Sequence, residues 1–300
     1  MAGELSGKEI KMSIVNECMI VNCQIGVWSG HRLDKEASLR VTQEAQAADD
    51  AARVNKHLVS KEALKAVQQA ATQVRQHFYR KTLPWKDNGD RLLTRKMYVP
   101  YMQEHAALRY TFEQEVKKFL EDGYPAAFEK ARFRMGALFN PNDYPSEASL
   151  RRRFYVNLDI DPVSTANDFR VTFDEGQEAE IKQEIEEAMA RRVNDAMADV
   201  WSRLHTTLSN YQERMASKDG RFKEATIDNL QEIVDMLPAF NVLGDPQLEK
   251  IAKDVQGTLL GTSAKELRKD DKVRSAAAME AQRILEDMAG FMNAFRKDDE

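Results

Sequence analysis

The chain has 300 residues, a net charge of −5, and 42% hydrophobic and 31% charged side chains. That balance supports a folded core under a charged surface; it excludes a disordered polyelectrolyte and a uniformly basic nucleic-acid coat. With 13 glycines and 8 prolines over this length, long regular elements are expected.

Ser13 to Trp28 predicts a strand, because Ile14, Val15, Met19, Ile20, Val21, Ile25 and Val27 are β-formers and Gly26 and Gly30 punctuate them. Cys18 and Cys23 lie in it five apart, on opposite faces, so a local disulfide is awkward and free thiols are expected. Glu36 to Ala52 reads as helix with a weak apolar face. From Ser60, Ala63, Leu64, Val67, Ala70, Ala71, Val74 and Phe78 recur at three and four and predict a helix to Lys81, where Pro84 prevents continuation. Thr82 to Arg95 reads as a polar loop. A helix resumes after Met97 through Phe119 and breaks at Gly123 and Pro125, a shorter one reaches Leu138, and Ser146 caps another beyond the 140–145 loop.

Arg153 to Phe173 predicts a β-hairpin, with Phe154, Val156, Leu158 and Ile160 on one face of its first strand and Phe169 to Phe173 as its second. Everything after Asp174 reads as helix. The longest runs from Gly176 to Ser217, with a stripe from Ile181 to Met215; at 1.5 Å per residue it spans about 60 Å. Shorter helices follow over 222–237, stopped by Pro238, over 246–260 behind an Asp245 cap, and over 271–295, with a capping box at Ser263 and Glu266. The predicted fold is therefore mostly α with a small β element, an elongated helical bundle with one long, coiled-coil-like spine helix. Residues 1–173 form an α+β half with a basic middle and 174–300 a helical bundle, in one continuous elongated body. Any homo-oligomer contact is expected over Ile181 to Met189, the end of the spine that the later helices cover least.

The charge total hides an uneven distribution. Residues 75–153 carry sixteen basic and ten acidic side chains; residues 154–200 carry four basic and twelve acidic. Within the basic middle, Arg80, Lys81, Lys86, Arg91, Arg95 and Lys96 surround Trp85. Cations beside an aromatic ring describe a single-strand nucleic-acid surface, with Trp85 stacking on a base; Trp85 as a packing residue is the competing reading. Arg151, Arg152 and Arg153 either face phosphate or pair with the acidic run after Asp174.

Catalytic patterns are not found. No phosphate loop, dinucleotide fingerprint, His-Glu-x-x-His or Gly-x-Ser-x-Gly occurs, and the five histidines are scattered. His31 with Asp34, and Glu104 with His105, match no recurring ligand or triad spacing. Asp159 and Asp161 project to one side of a strand, but two carboxylates without a third ligand make a poor cation site. No catalytic residue, metal or cofactor is assigned. No signal-peptide core or stretch of ~18 apolar residues is present, which predicts a cytoplasmic location without membrane contact.

Val27 to Leu33, the helix from Ser60, Leu83 to Trp85 with Gly89 to Leu93, and the strand from Arg153 to Ile160 together resemble an uncharacterised family of phage and prophage proteins. Its members are often encoded near MoxR-type AAA+ ATPases and von Willebrand A-domain proteins. The resemblance implies a phage-type cytoplasmic accessory protein, non-enzymatic, with an AAA+ ATPase as protein partner; it carries over no catalytic residue. A nucleic-acid binding factor in phage recombination or replication is the alternative, and a virion component stays open.

Overall fold

The computed structural model describes residues 14–169, 171, 174–217 and 222–296, and well over half of these are helical. The fold is mostly α, with a small antiparallel sheet and one long helix. In chain order the elements are β1 (Cys18–Gly26), β2 (His31–Asp34), α1 (Lys35–Glu44), β3 (Val54–His57), α2 (Lys61–Lys81), β4 (Leu83–Pro84), β5 (Arg91–Thr94), α3 (Arg95–Lys118), a π-helical turn (Phe119–Gly123) and α4 (Tyr124–Met135). Then come α5 (Glu147–Arg151), β6 (Tyr155–Pro162), α6 (Glu175–Ala216), α7 (Ala225–Phe240), α8 (Pro246–Thr258), α9 (Ala264–Lys269) and α10 (Asp271–Arg296). One sheet has the order β4-β5-β1-β6; β2 and β3 form a separate antiparallel pair. No helix among the described residues is long and apolar enough to cross a membrane.

Several elements differ from the sequence pattern. Residues 14–17 are helical and lead into β1, so the first strand is shorter than predicted. The helix after Glu36 stops at Glu44, because its apolar face is too weak to carry it through the polar residues that follow. Thr82 to Arg95 is not only loop. β4 and β5 fold it into a hairpin closed by Lys86 N donating to Asp90 O at 3.1 Å, with Gly89 at φ +94° supplying the left-handed turn. Gly123 and Pro125 do not break the helix: a π turn absorbs the irregularity, and Pro125 sits at the start of α4, where no N–H is needed. Pro238 likewise lies inside α7, whose last turn is closed by Asn241 N donating to Leu237 O at 2.8 Å.

The predicted hairpin at 153–173 is half present. Its first strand is β6, in which Val156 is buried and Ile160 exposed. The sheet order places β6 beside β1, not beside a following strand. Arg170, Thr172 and Phe173 of the second strand lie outside the described residues, and Phe169 and Val171 are not in a strand.

The chain forms two units whose boundary does not fall at residue 173. The first takes the described residues up to Asn22, then 81–99 and the described residues from Ile160; the second takes 23–80 and 100–159. In the first, α6 carries a buried stripe of Met189, Val193, Ala196, Met197, Val200, Trp201, Leu204, Leu208, Tyr211 and Met215, spaced by three and four. α10, α7 and β4 pack on it. Each large apolar side chain buried there contributes about 1.5–3 kcal/mol. Trp201 also donates from Nε1 to Asp245 Oδ2 (3.2 Å), while the other oxygen of Asp245 caps α8 at Gln247 N and Leu248 N. In the second unit, Leu64, Val67, Ala70, Ala71 and Val74 of α2 share a core with Phe112, Val116, Phe119, Leu120, Trp28 and Leu58. Trp28 meets Tyr124 edge-on at 5.7 Å.

Candidate functional site

The residues singled out for nucleic acid are already engaged. Lys81 pairs with Glu232 (2.8 Å), Lys86 with Asp90 (3.6 Å) and Arg95 with Glu17 (3.0 Å). Lys96 donates to Pro238 O, and Arg91 donates to both Thr82 Oγ1 and Thr82 O. Arg80, in the second unit, pairs with Glu104 at 3.6 Å. The exposed pairs among these exchange partners at little cost, so the cations alone decide nothing. Trp85 decides more. It is 6% exposed, belongs to the core of the first unit and has the Arg192 guanidinium 5.8 Å from its ring centroid, so no face is open to a base. This burial favours Trp85 as a packing residue over a base-stacking one.

Asp159 and Asp161 are both exposed, and no group of three potential metal ligands exists among the described residues. Cys18 and Cys23 are free, and burial pushes their thiols up to about 12 and about 11. Arg151 pairs with Glu147 one turn back.

The second unit contains a charged cleft that the sequence pattern did not single out. Its geometry follows from strand alternation. Gly30, at φ +71°, turns the chain into β2, and β2 pairs with β3 so that Arg32 lies opposite Lys56 and Asp34 opposite Val54. Residues two apart share a strand face, so Arg32, Asp34 and Lys56 project together. On the other face, the rings of His31 and His57 meet at 4.1 Å. Asp34 also caps α1, accepting from Ala37 N at 3.0 Å. The loop at 140–143 supplies the last member: Asn140 Oδ1 accepts from Asn142 N, and the short turn Pro141–Asp143 sets Asp143 against Lys56.

Lys56 Nζ stands 3.1 Å from Asp34 Oδ2 and 2.6 Å from Asp143 Oδ2. Arg32 Nε stands 3.3 Å from Asp143 Oδ1, and its Nη1 donates to Asn142 O at 3.0 Å. The Asp143 and Lys56 side chains are 7% and 13% exposed, whereas Arg32 is 51% exposed. Arg32 is thus anchored on one edge and open on the other. It borders two adjoining pockets, of about 990 Å³ with Leu33, Arg40, Leu138 and Phe139, and of about 260 Å³ with Trp28, His31, Tyr144 and Arg153. Leu33 and Leu138 are 42% and 47% exposed.

Two charges in this network are reinforced by their neighbours. The Ala37 N–H, with Lys56 beside it, holds the Asp34 carboxyl below its ordinary range, and Asp143 and Asp34 hold the Lys56 ammonium above its own. Neither group exchanges a proton near neutral pH, which suits recognition better than acid–base catalysis. A half-anchored guanidinium beside exposed leucines can bind a carboxylate next to an apolar side chain. The missed signal was two short segments, Arg32 to Asp34, which alternates charged and apolar side chains, and Val54 to Lys56, which places a cation two residues from an apolar side chain. No protein-family model matches the chain, and no curated protein or solved structure shows significant similarity to it.

Proposed function

We propose that the chain is a non-enzymatic, phage-type accessory protein acting through protein–protein contacts, and that the cleft around Arg32 carries a partner. The observation that supports this most is the anchored, half-exposed Arg32 between exposed Leu33 and Leu138. A cytoplasmic location and an AAA+ ATPase as partner rest on the resemblance at Val27 to Leu33 and the segments named with it. A homo-oligomer contact, if made over Ile181 to Met189, is left to Ile181, Ile185 and Ala188, which are half-buried, since Met189 is buried in the core. Nucleic-acid binding has less support, because its aromatic element is buried.

The test is co-purification of the tagged full chain from cells carrying its native gene neighbourhood. Stoichiometric recovery of an AAA+ ATPase, lost in Leu138→Asp while helicity and melting temperature stay unchanged, supports the reading. Recovery of the chain alone, or a complex indifferent to Leu138→Asp and Arg32→Glu, overturns it.

A further inference from the structure

A second pocket, in the first unit, has a different character. It lies where the end of α6, the start of α7 and α9 come together, with a volume of about 680 Å³. Arg214, Lys223 and Arg268 line it together with Phe222, Thr226 and Asn229, and no carboxylate does among the described residues. Glu224 and Asp228, close in sequence, are not among its lining residues.

Elsewhere in this unit, cations such as Lys81, Lys86, Arg95 and Arg283 have carboxylate partners. Arg214 and Lys223 have none among the described residues. Arg268 is held differently. Its guanidinium carbon lies 5.1 Å from the Phe222 ring centroid and its Nη2 donates to Phe222 O at 3.4 Å. That contact and that bond hold the guanidinium against the ring, and its remaining N–H groups have no partner among the described residues. Thr226 and Asn229 add a hydroxyl and an amide, also without protein partners among the described residues. Three cations and two neutral donors therefore converge on one concave surface, in a chain whose net charge is −5. Like charges held together repel, and an anion seated among them removes that repulsion.

We propose that this pocket binds the phosphate groups of a small ligand carrying a diphosphate or longer chain. Arg268 takes one phosphate through the open edge of its positioned guanidinium, Arg214 and Lys223 neutralise the rest, and Thr226 and Asn229 donate to remaining oxygens. The Phe222 ring is buried and covered by Arg268, so recognition is of phosphate and not of a stacked base. The volume exceeds that of one phosphate ion, which favours a chain of two or three. This site belongs to the first unit and the Arg32 cleft to the second, so each is tested separately.

The experiment is isothermal titration of the full chain at low salt with inorganic phosphate, pyrophosphate, tripolyphosphate and a single-stranded oligonucleotide lacking terminal phosphates. Pyrophosphate and tripolyphosphate are expected to bind more tightly than phosphate, and the oligonucleotide, with one charge per phosphodiester, most weakly. Arg214→Gln and Lys223→Gln should each weaken pyrophosphate about tenfold, and together abolish measurable binding. All three lining cations are exposed, so helicity and melting temperature should not change. No heat with pyrophosphate at millimolar concentration overturns the proposal. So does pyrophosphate binding that ignores the double substitution, or an oligonucleotide that binds more tightly than pyrophosphate.

Discussion

Lys56→Met removes a cation shared by Asp34 and Asp143, leaving two carboxylates around a neutral thioether. Removing one member of a buried ionic network costs about 3–5 kcal/mol. These side chains are occluded but sit at the mouth of a cleft, and Arg32 remains 3.3 Å from Asp143, so the low end, about 3 kcal/mol, applies. Hydrogen exchange read on β3 and on residues 141–145 reports it locally; that cost corresponds to roughly hundredfold faster exchange at pH 7. The pH dependence is a second readout. In the native protein the Asp34 carboxyl is held low, so its contribution is present above about pH 4 and lost as pH falls through its folded value. Lys56 is held high, so its contribution is full below about pH 10 and lost as pH rises through its raised folded value. In the variant Asp34 loses its ammonium partner and its protonation costs less, so the deficit should shrink between pH 7 and 4.5. Exchange accelerated by less than about fivefold, or a deficit that grows on acidification, would refute the network's role.

Trp85→Ala should cost the first unit about 3–5 kcal/mol in urea unfolding, as expected for a buried ring; native stability with weakened binding of single-stranded DNA would reinstate the stacking role. Burial, then His77 and Arg109, hold the His105 imidazole below its ordinary range, so its contribution is present above about pH 6.5 and lost as pH falls toward the folded value. His105→Phe should therefore lose less melting temperature than the native chain between pH 7.5 and 5.5, and an equal loss would contradict this. Gly30→Ala forces a side chain onto φ +71° with its Cβ 2.9 Å from Val59 Cγ2, and should cost at least about 1–2 kcal/mol by thermal unfolding; an unchanged melting temperature would show that the turn relaxes. Asp245→Ala removes both the α8 cap and the Trp201 partner and should cost about 1–2 kcal/mol, whereas a cost near zero would make both bonds dispensable.

The helices were legible where a period of three and four persists over many turns. α6 is the plain case: Asp174 caps it, and its stripe from Met189 to Met215 is buried as the spacing predicts. Short strands were not. β2 and β3 have four residues each, too few for alternation to stand out, and β4 and β5 were hidden by the charged turn between Trp85 and Arg91. Proline and glycine were over-read as stops at Gly123, Pro125 and Pro238, because a π turn and a helix's last turn accommodate them. The packing of Trp85 was hidden by its basic neighbours, because the core it fills is made with α6, far along the chain. The cleft depends on Lys56 meeting Asp143, and no local pattern announces a contact between distant segments.

The interleaving of the two units has a consequence for how the protein is made. The second unit draws only on residues 23–159, so all of it has left the ribosome before most of the first unit has been translated. The first unit needs the described residues up to Asn22 and residues 81–99, yet their apolar side chains, among them Ile14, Ile20, Leu83, Trp85 and Leu92, share one core with α6 and the helices after it. During synthesis those early segments wait, attached to a unit that can already be complete, for a surface not yet made. A stop codon anywhere between α6 and α10 would therefore strand apolar segments at the opposite end of the chain, and such fragments should be captured by chaperones although their second unit is whole.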